Sequence, residues 1–358
     1  MTNQRNLDEA MLRAYSEARC LDYGFSIEDV RQLRERVQHA EHWCDVALEL
    51  AEIRIASAGD FTGDGVGNVE ACAELLHAAA CLRAAQAALE EHPPQRLLIY
   101  QRQVATFKRA MRLFSVHSEF LEVEWKGAPH GAWLFPYEGS SRWVVIWGGA
   151  DGWREAYHRS VQFFHKHRLS VCLLELPGQG IARLQQGSYL EHGFTSLVSS
   201  VLDALTMRGG DPTVFALVGH SIGGALALRA AATEKRIVAC VTNGGSVEPE
   251  KGLTAYPRVL RRFARMLGDS VDSEEAISFI ERLELTQCAK EMHASLLCIH
   301  GGKDELVADS EAHRLVALHG RADLRVWQDG THCVYNHANE RNHVLAAWVS
   351  EKFDNLSI

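Results

Sequence analysis

Two hydrophobic periods divide the chain. Up to about residue 113, apolar residues recur every three or four positions, as in "IEDVRQLRERVQHAEHWCDVALELAEIRIASA" (27–58), which is the spacing of one buried helix face. "VEACAELLHAAACLRAAQAALEE" (69–91) is built almost wholly from strong helix formers. "GDFTGDGVGN" (59–68) separates these two helical stretches and "EHPPQ" (91–95) ends the second, because Gly and Pro interrupt a helical backbone. "LLIYQRQVATFKRAMRLF" (97–114) reads as a further helix. The pattern predicts an all-helical N-terminal domain over 1–114.

Beyond about residue 115 the period shortens. Eight short runs rich in β-branched and aromatic residues read as strands: "FLEVEW", "GAWLFPY", "RWVVIWG", "LSVCLLEL", "TVFALVG", "RIVACVTNG", "SLLCIHG" and "DLRVWQ". Helical patterns such as "WREAYHRSVQFFHKH", "GGALALRAAATE" and "SEAHRLVALHG" separate the later ones. Strands alternating with helices predict an α/β domain over 115–358, with a mostly parallel sheet of about eight strands covered on both faces. The early strands have no helices between them, so the sheet should start antiparallel. Between 246 and 294 "YPRVLRRFARMLGD" and "SEEAISFIERLEL" form a helical insertion where a short crossover would suffice.

Bulk properties narrow the class of protein. The chain has 358 residues, 47% apolar and 23% charged, an ordinary globular composition with room for two domains. No apolar run approaches the roughly 20 residues that span a bilayer, and "MTNQRNLDEAMLRAYSEAR" has no apolar signal core. A cytoplasmic protein is expected. A net charge of −9 argues against a nucleic-acid partner, since a phosphate backbone needs a basic surface. The nine cysteines are odd in number, scattered and without a CxxC pair, so buried free thiols are expected and none is a candidate nucleophile. Asp60, Asp64 and Asn68 lack the spacing of a calcium loop, and Ala71 stands where its bidentate glutamate would be, so this stretch reads as a connector with no metal.

"GHSIG" (219–223) is a G-x-S-x-G stretch with a strand before it and a helix after it. That context makes Ser221 a candidate nucleophile on a sharp strained turn, with Gly219 and Gly223 small because strand and helix cross closely there. The N–H of Ile222, at the helix start, can face a developing oxyanion. "IHGGKDELV" places Asp304 in the loop after one strand, and "DGTHCVYNH" places His332 in the loop after the next. In the order Ser, Asp, His, the histidine takes the serine proton and the aspartate fixes the imidazole. Glu305 and His337 are the neighbouring alternatives for acid and base. "VVIWGGADGW" supplies a second oxyanion donor, the N–H of Ala150 or of Asp151. Glu175 in "LELPGQG" reads as a structural loop carboxylate. This inventory requires no cofactor.

These motifs resemble the α/β-hydrolase superfamily across the C-terminal two-thirds of the chain. With a helical region ahead of the core, the layout is similar to the subgroup of fermentation–respiration-switch esterases and dihydroxypseudooxynicotine hydrolase. The resemblance implies a helical cap over the active site and a small-molecule substrate, with no membrane partner and room for a homodimer. Its members include esterases, hydrolases of carbon–carbon bonds beside ketones, and relatives in polyketide pathways that eliminate an acyl group as its acid. The expected activity is therefore serine-dependent cleavage of an ester or ketonic carbon–carbon bond, with elimination by a lyase on the same scaffold as the alternative. In "NGGSVEPEKG", Glu248 occupies a loop expected to border the pocket, where it could protonate a departing carbanion or enolate.

Overall fold

The computed structural model describes residues 2–59, 69–89 and 93–356; all of "GDFTGDGVGN" except Gly59 lies outside the described residues. The chain divides into two compact units, Met1–Ser118 and Glu119–Ile358.

The first unit is helical, with α1 (Thr2–Ala14), α2 (Glu17–Asp22), α3 (Ile27–Gln38), α4 (Trp43–Ala58), α5 (Val69–Ala87) and α6 (Pro93–Leu113). The continuous helical period over 27–58 is in fact two helices. Ala40 takes φ 74°, a left-handed turn that halts α3, and Asp8 Oδ1 accepts the Trp43 N–H at 3.0 Å to start α4. No Gly or Pro marks that break in the sequence. Ser26 caps α3 through the Asp29 N–H at 3.0 Å. The core of this unit closes on Trp43, whose indole N–H donates to Ala84 O at 3.0 Å.

The second unit is a single eight-stranded sheet in the order β1-β2-β4-β3-β5-β6-β7-β8. Its strands are β1 (Glu119–Trp125), β2 (Ala128–Phe135), β3 (Trp143–Trp147), β4 (Ser170–Leu174), β5 (Phe215–His220), β6 (Ile237–Asn243), β7 (Ser295–Gly301) and β8 (Asp323–Trp327). Strand β1 runs antiparallel to β2, and β2 antiparallel to β4; every later pair is parallel. Side-chain chemistry follows position in the sheet. β3, β4 and β5 are buried at every residue and are almost wholly apolar, with Ser170 and His220 the polar exceptions at a strand end, whereas the edge strand β1 alternates buried Leu121, Val123 and Trp125 with exposed Phe120, Glu122 and Glu124.

Helices α7 (Val161–His165), α8 (Gly180–Leu184), α9 (Thr195–Thr206) and α10 (Ile222–Thr233) connect the central strands. The insertion after β6 holds four helices, α11 (Pro249–Ala255), α12 (Pro257–Leu267), α13 (Ser273–Glu281) and α14 (Leu285–Glu291), where the periodicity signals two. Helices α11 and α14, of seven residues each, are too short to establish a period. Proline at the first turn starts both α11 and α12, and an Asp272–Glu275 capping box starts α13. Helices α15 (Asp309–His319) and α16 (Ala338–Asp354) complete the unit. All nine cysteines are buried free thiols. No helix among the described residues is long and apolar enough to cross a membrane.

The crossing of β5 and α10 leaves no room at Gly219. A Cβ there would stand 2.2 Å from Gly223 O and 2.8 Å from Gly224 Cα, both backbone atoms that a rotamer change cannot move. Gly219→Ala should therefore destabilise the protein by about 1–3 kcal/mol. The check is a lowered thermal denaturation midpoint; an unchanged midpoint would contradict the packing.

Candidate active site

Strand β5 delivers its last residues to a turn that α10 continues, and Ser221 sits on that turn with φ 56° and ψ −132°. A positive φ is costly for a residue bearing a Cβ, and such outliers persist where the surroundings hold them. Here the Ser221 N–H donates to Asn243 O at 2.8 Å, and Ser221 O accepts the Gly224 N–H at 2.8 Å. The strained turn lifts Oγ off the sheet edge, 2.9 Å from His332 Nε2.

His332 follows β8, and its Nδ1 lies 2.8 Å from Asp304 Oδ2. Asp304 follows β7 and its side chain is fully out of water. Its Oδ1 accepts the N–H groups of Leu306 (2.9 Å) and Val307 (3.0 Å), so both carboxylate oxygens are engaged. Burial alone would raise the Asp304 pKa; the charge and hydrogen bond of His332 and the Val307 N–H outweigh it, and the carboxyl is held below its usual range. Burial likewise opposes the His332 imidazolium, while Cys333 and Asp304 beside it act the other way, and the net is a pKa well above the ordinary histidine value.

The loop after β3 closes against the serine. A Cβ on Gly149 would stand 3.0 Å from Ser221 Cβ and 3.1 Å from His220 O. Ala150 and Ile222 both line the cavity that opens at Ser221 and His332. Asp151 is not in that lining; its carboxylate turns to Arg262 of α12 at 2.5 Å. The rest of the wall is mainly apolar and comes from the insertion and the Asp304 loop, with Leu253, Tyr256, Val259, Phe263, Leu306 and Val307.

The structure thus brings together Ser221, His332, Asp304, Ile222 and Ala150. Glu248 is not among the residues lining this cavity: its carboxylate is ion-paired with Arg314 and Lys251. Neighbouring cations and a backbone that turns into α11 at Pro249 draw it aside. The two alternates are also elsewhere. His337 pairs with Asp329 at 2.9 Å, and Glu305 offers its main-chain oxygen to the Tyr256 hydroxyl. Glu175, 1% exposed, bonds Arg154 at 2.9 Å and accepts the Ala182 N–H at 2.9 Å, the structural role expected of it.

The arrangement couples a hydroxyl to an imidazole and the imidazole to a buried carboxylate, in a cavity also lined by Ile222 at a helix start and Ala150 in a loop. Chemically that can activate an oxygen nucleophile and hold the oxyanion of an acyl transfer. Residues 127–289 match the Alpha/beta hydrolase family. The chain is 23% identical over 338 residues to 2,6-dihydropseudooxynicotine hydrolase of Paenarthrobacter nicotinovorans, covering 91% of this chain and 88% of that protein. The crystal structure of 2,6-dihydroxy-pseudo-oxynicotine hydrolase superposes with a TM-score of 0.81 at 23% identity, covering 94% of this chain and 95% of that one. AbyA5 superposes with a TM-score of 0.71 at 20% identity, over 87% and 89% of the two chains. With its sheet order, helical N-terminal region and these superpositions together, the chain has the α/β-hydrolase fold and is an enzyme of that fold.

Proposed function

We propose that the protein is a serine-dependent hydrolase that cleaves an acyl bond, an ester or a carbon–carbon bond beside a ketone, in a small or medium organic substrate. The observation that carries this reading is the continuous relay from Ser221 Oγ through His332 to Asp304, with contacts of 2.9 and 2.8 Å, opening on an apolar cavity. Its similarity to 2,6-dihydropseudooxynicotine hydrolase supports hydrolysis of a ketone-bearing metabolite.

The steps follow from the geometry. His332 Nε2 takes the Ser221 proton as Oγ bonds the acyl carbon. The Ile222 and Ala150 N–H groups receive the negative charge that develops on the acyl oxygen. When the tetrahedral carbon collapses, the leaving group departs with the proton on Nε2, as an alcohol from an ester or a ketone from a carbon–carbon bond. A water molecule then gives its proton to His332, attacks the acyl-enzyme and releases the acid. Asp304, held by two N–H donors, keeps the imidazole in the tautomer with Nδ1–H. Because Glu248 is ion-paired away from the cavity, His332 is the proton donor to the leaving group on either route. The lining offers an uncharged wall of Leu253, Val259, Phe263, Leu306 and Val307, which suits an apolar acyl or alkyl group.

Acyl esters and β-diketones screened against the wild type and Ser221→Ala test this reading. The alanine variant should lose about 10⁴–10⁶-fold in kcat, and a fluorophosphonate probe should label the wild type at Ser221 alone. In labelled water, acyl-enzyme hydrolysis puts solvent oxygen into the acid product. An acid free of solvent oxygen would replace hydrolysis with elimination.

The pH profile gives a second test. Only neutral His332 can accept the serine proton, so kcat/KM should rise with pH through its raised pKa, with a midpoint above the ordinary histidine value of about 6.5. Asp304→Asn removes one of the two neighbours that raise it, the carboxylate. The midpoint should shift down while kcat falls by about 10⁴-fold. An unshifted midpoint in that variant would remove His332–Asp304 coupling from the mechanism.

A further inference from the structure

The last residue of β6, Asn243, is fully buried and touches both loops of the relay. Its main-chain oxygen accepts the Ser221 N–H at 2.8 Å and the Cys333 thiol at 3.4 Å. Its side-chain Nδ2 donates to Cys333 O at 3.0 Å and lies 2.9 Å from His220 Nδ1. An amide nitrogen has two hydrogens, and here each has an acceptor. His220, stacked on Tyr157 with ring centres 4.5 Å apart, is kept neutral by burial and by the nearby charges of Arg341 and His332, and in its Nε2–H tautomer Nδ1 accepts from the amide. Asn243 Oδ1 is buried and has no donor among the described residues, so the amide is oriented from its nitrogen side. Turned over, it would set Oδ1 against Cys333 O.

Cys333 directly follows His332, and the turn there is strained. Cys333 and Val334 have φ values of 54° and 55°, the left-handed region, which is a steric outlier for a β-branched valine. Two donors converge on the carbonyl of Cys333: Asn243 Nδ2 and, at 2.9 Å, Nη1 of the buried Arg341. Without such anchoring the turn would relax and carry the imidazole with it.

We propose that Asn243 is a positioning residue that fixes the distance between Ser221 Oγ and His332 Nε2, by holding the nucleophile's turn through its carbonyl and the strained turn after the base through its amide. The proposal rests on the reading of Ser221 as the nucleophile. Its side chain reaches neither the substrate nor the reacting atoms; it acts through His332. The main-chain bond to Ser221 survives substitution, so side-chain variants isolate the second contact.

Asn243→Ala deletes both N–H donors, and Asn243→Asp keeps the shape while placing an oxygen against Cys333 O. A displacement of the imidazole by about 1 Å should lower kcat by about 10²-fold. The rate of fluorophosphonate labelling should fall in parallel, with KM within about threefold of the wild type. Wild-type kcat and labelling rate in either folded variant, or a change confined to KM, would overturn the proposal. If both variants fail to fold, Asn243→Ser is measured in the same way, and the same outcomes decide. Labelling of the wild type separates the two levels: a wild type that does not label overturns the nucleophile reading and this proposal together, whereas a labelled wild type with an equally fast variant overturns this proposal alone.

Discussion

The site depends on one steric constraint, the close crossing of β5 and α10 at a serine with a positive φ. The turn can be this tight only because Gly219 leaves the Gly223 carbonyl unobstructed, and Gly149 lets the β3 loop approach to the van der Waals limit of Ser221. The proposed relay is measured from that point. The parallel arrangement of β3, β5, β6, β7 and β8 sends the loops that follow them to one end of the sheet, so residues 150, 221, 243, 304 and 332 meet although they are far apart in the chain. A strained serine in isolation would relax. It persists because the Asn243 carbonyl and the first turn of α10 engage both its N–H and its C=O.

Charge is managed by burial with full pairing. Asp304 is dry, yet it keeps its charge because two N–H groups and an imidazole satisfy its oxygens. Arg154 does the same for Glu155 and Glu175 beneath the β4 loop, with contacts of 2.6 and 2.9 Å and all three residues almost wholly buried. A third pair, the buried Arg262 with the half-buried Asp151, joins α12 of the insertion to the loop that carries Ala150. Removing one member of such a pair leaves an uncompensated charge, which costs far more than the intact pair gains. The insertion therefore both walls the cavity, through Leu253, Val259 and Phe263, and is tied to the loop that approaches the serine.

Much of this was legible in the sequence because it is periodic or punctuated. Each of the eight strands overlaps the apolar run that predicts it, although β1 and β2 begin before their runs and β5 ends one residue after its own, and the antiparallel start follows from the lack of helices between the first runs. Ser221, Asp304 and His332 are legible for a different reason: each follows a strand, and the topology brings strand ends together. What escaped has equally physical causes. The break at Ala40 is made by an alanine in a left-handed turn, with neither Gly nor Pro to announce it. The expected site at Glu248 rested on loop position, and position does not reveal that Arg314 and Lys251 compete for the carboxylate. Asn243 gives no signal at all, since a neutral amide ending an apolar strand has neither period nor charge.

That asymmetry has a mechanistic basis. Acyl-transfer machinery needs a few groups at fixed separations, and a fold that fixes strand ends can specify them with short motifs. Choosing which bond to break is different: it depends on what the cavity wall leaves uncovered and on which proton donor the leaving group meets. In this site the one titratable proton donor shown in the cavity wall near the serine, apart from the Tyr256 phenol, is His332 itself. An alkoxide needs little help to depart beside an imidazolium, whereas a carbanion must be stabilised as an enolate, and so requires a ketone in the substrate to hold its charge. On the proposed mechanism, carbon–carbon cleavage therefore requires a substrate that supplies that electron sink, while an ester needs none. On that proposal, selectivity between the two routes would rest on the fit of an apolar group against lining residues such as Phe263 and Leu253, not on an added acid.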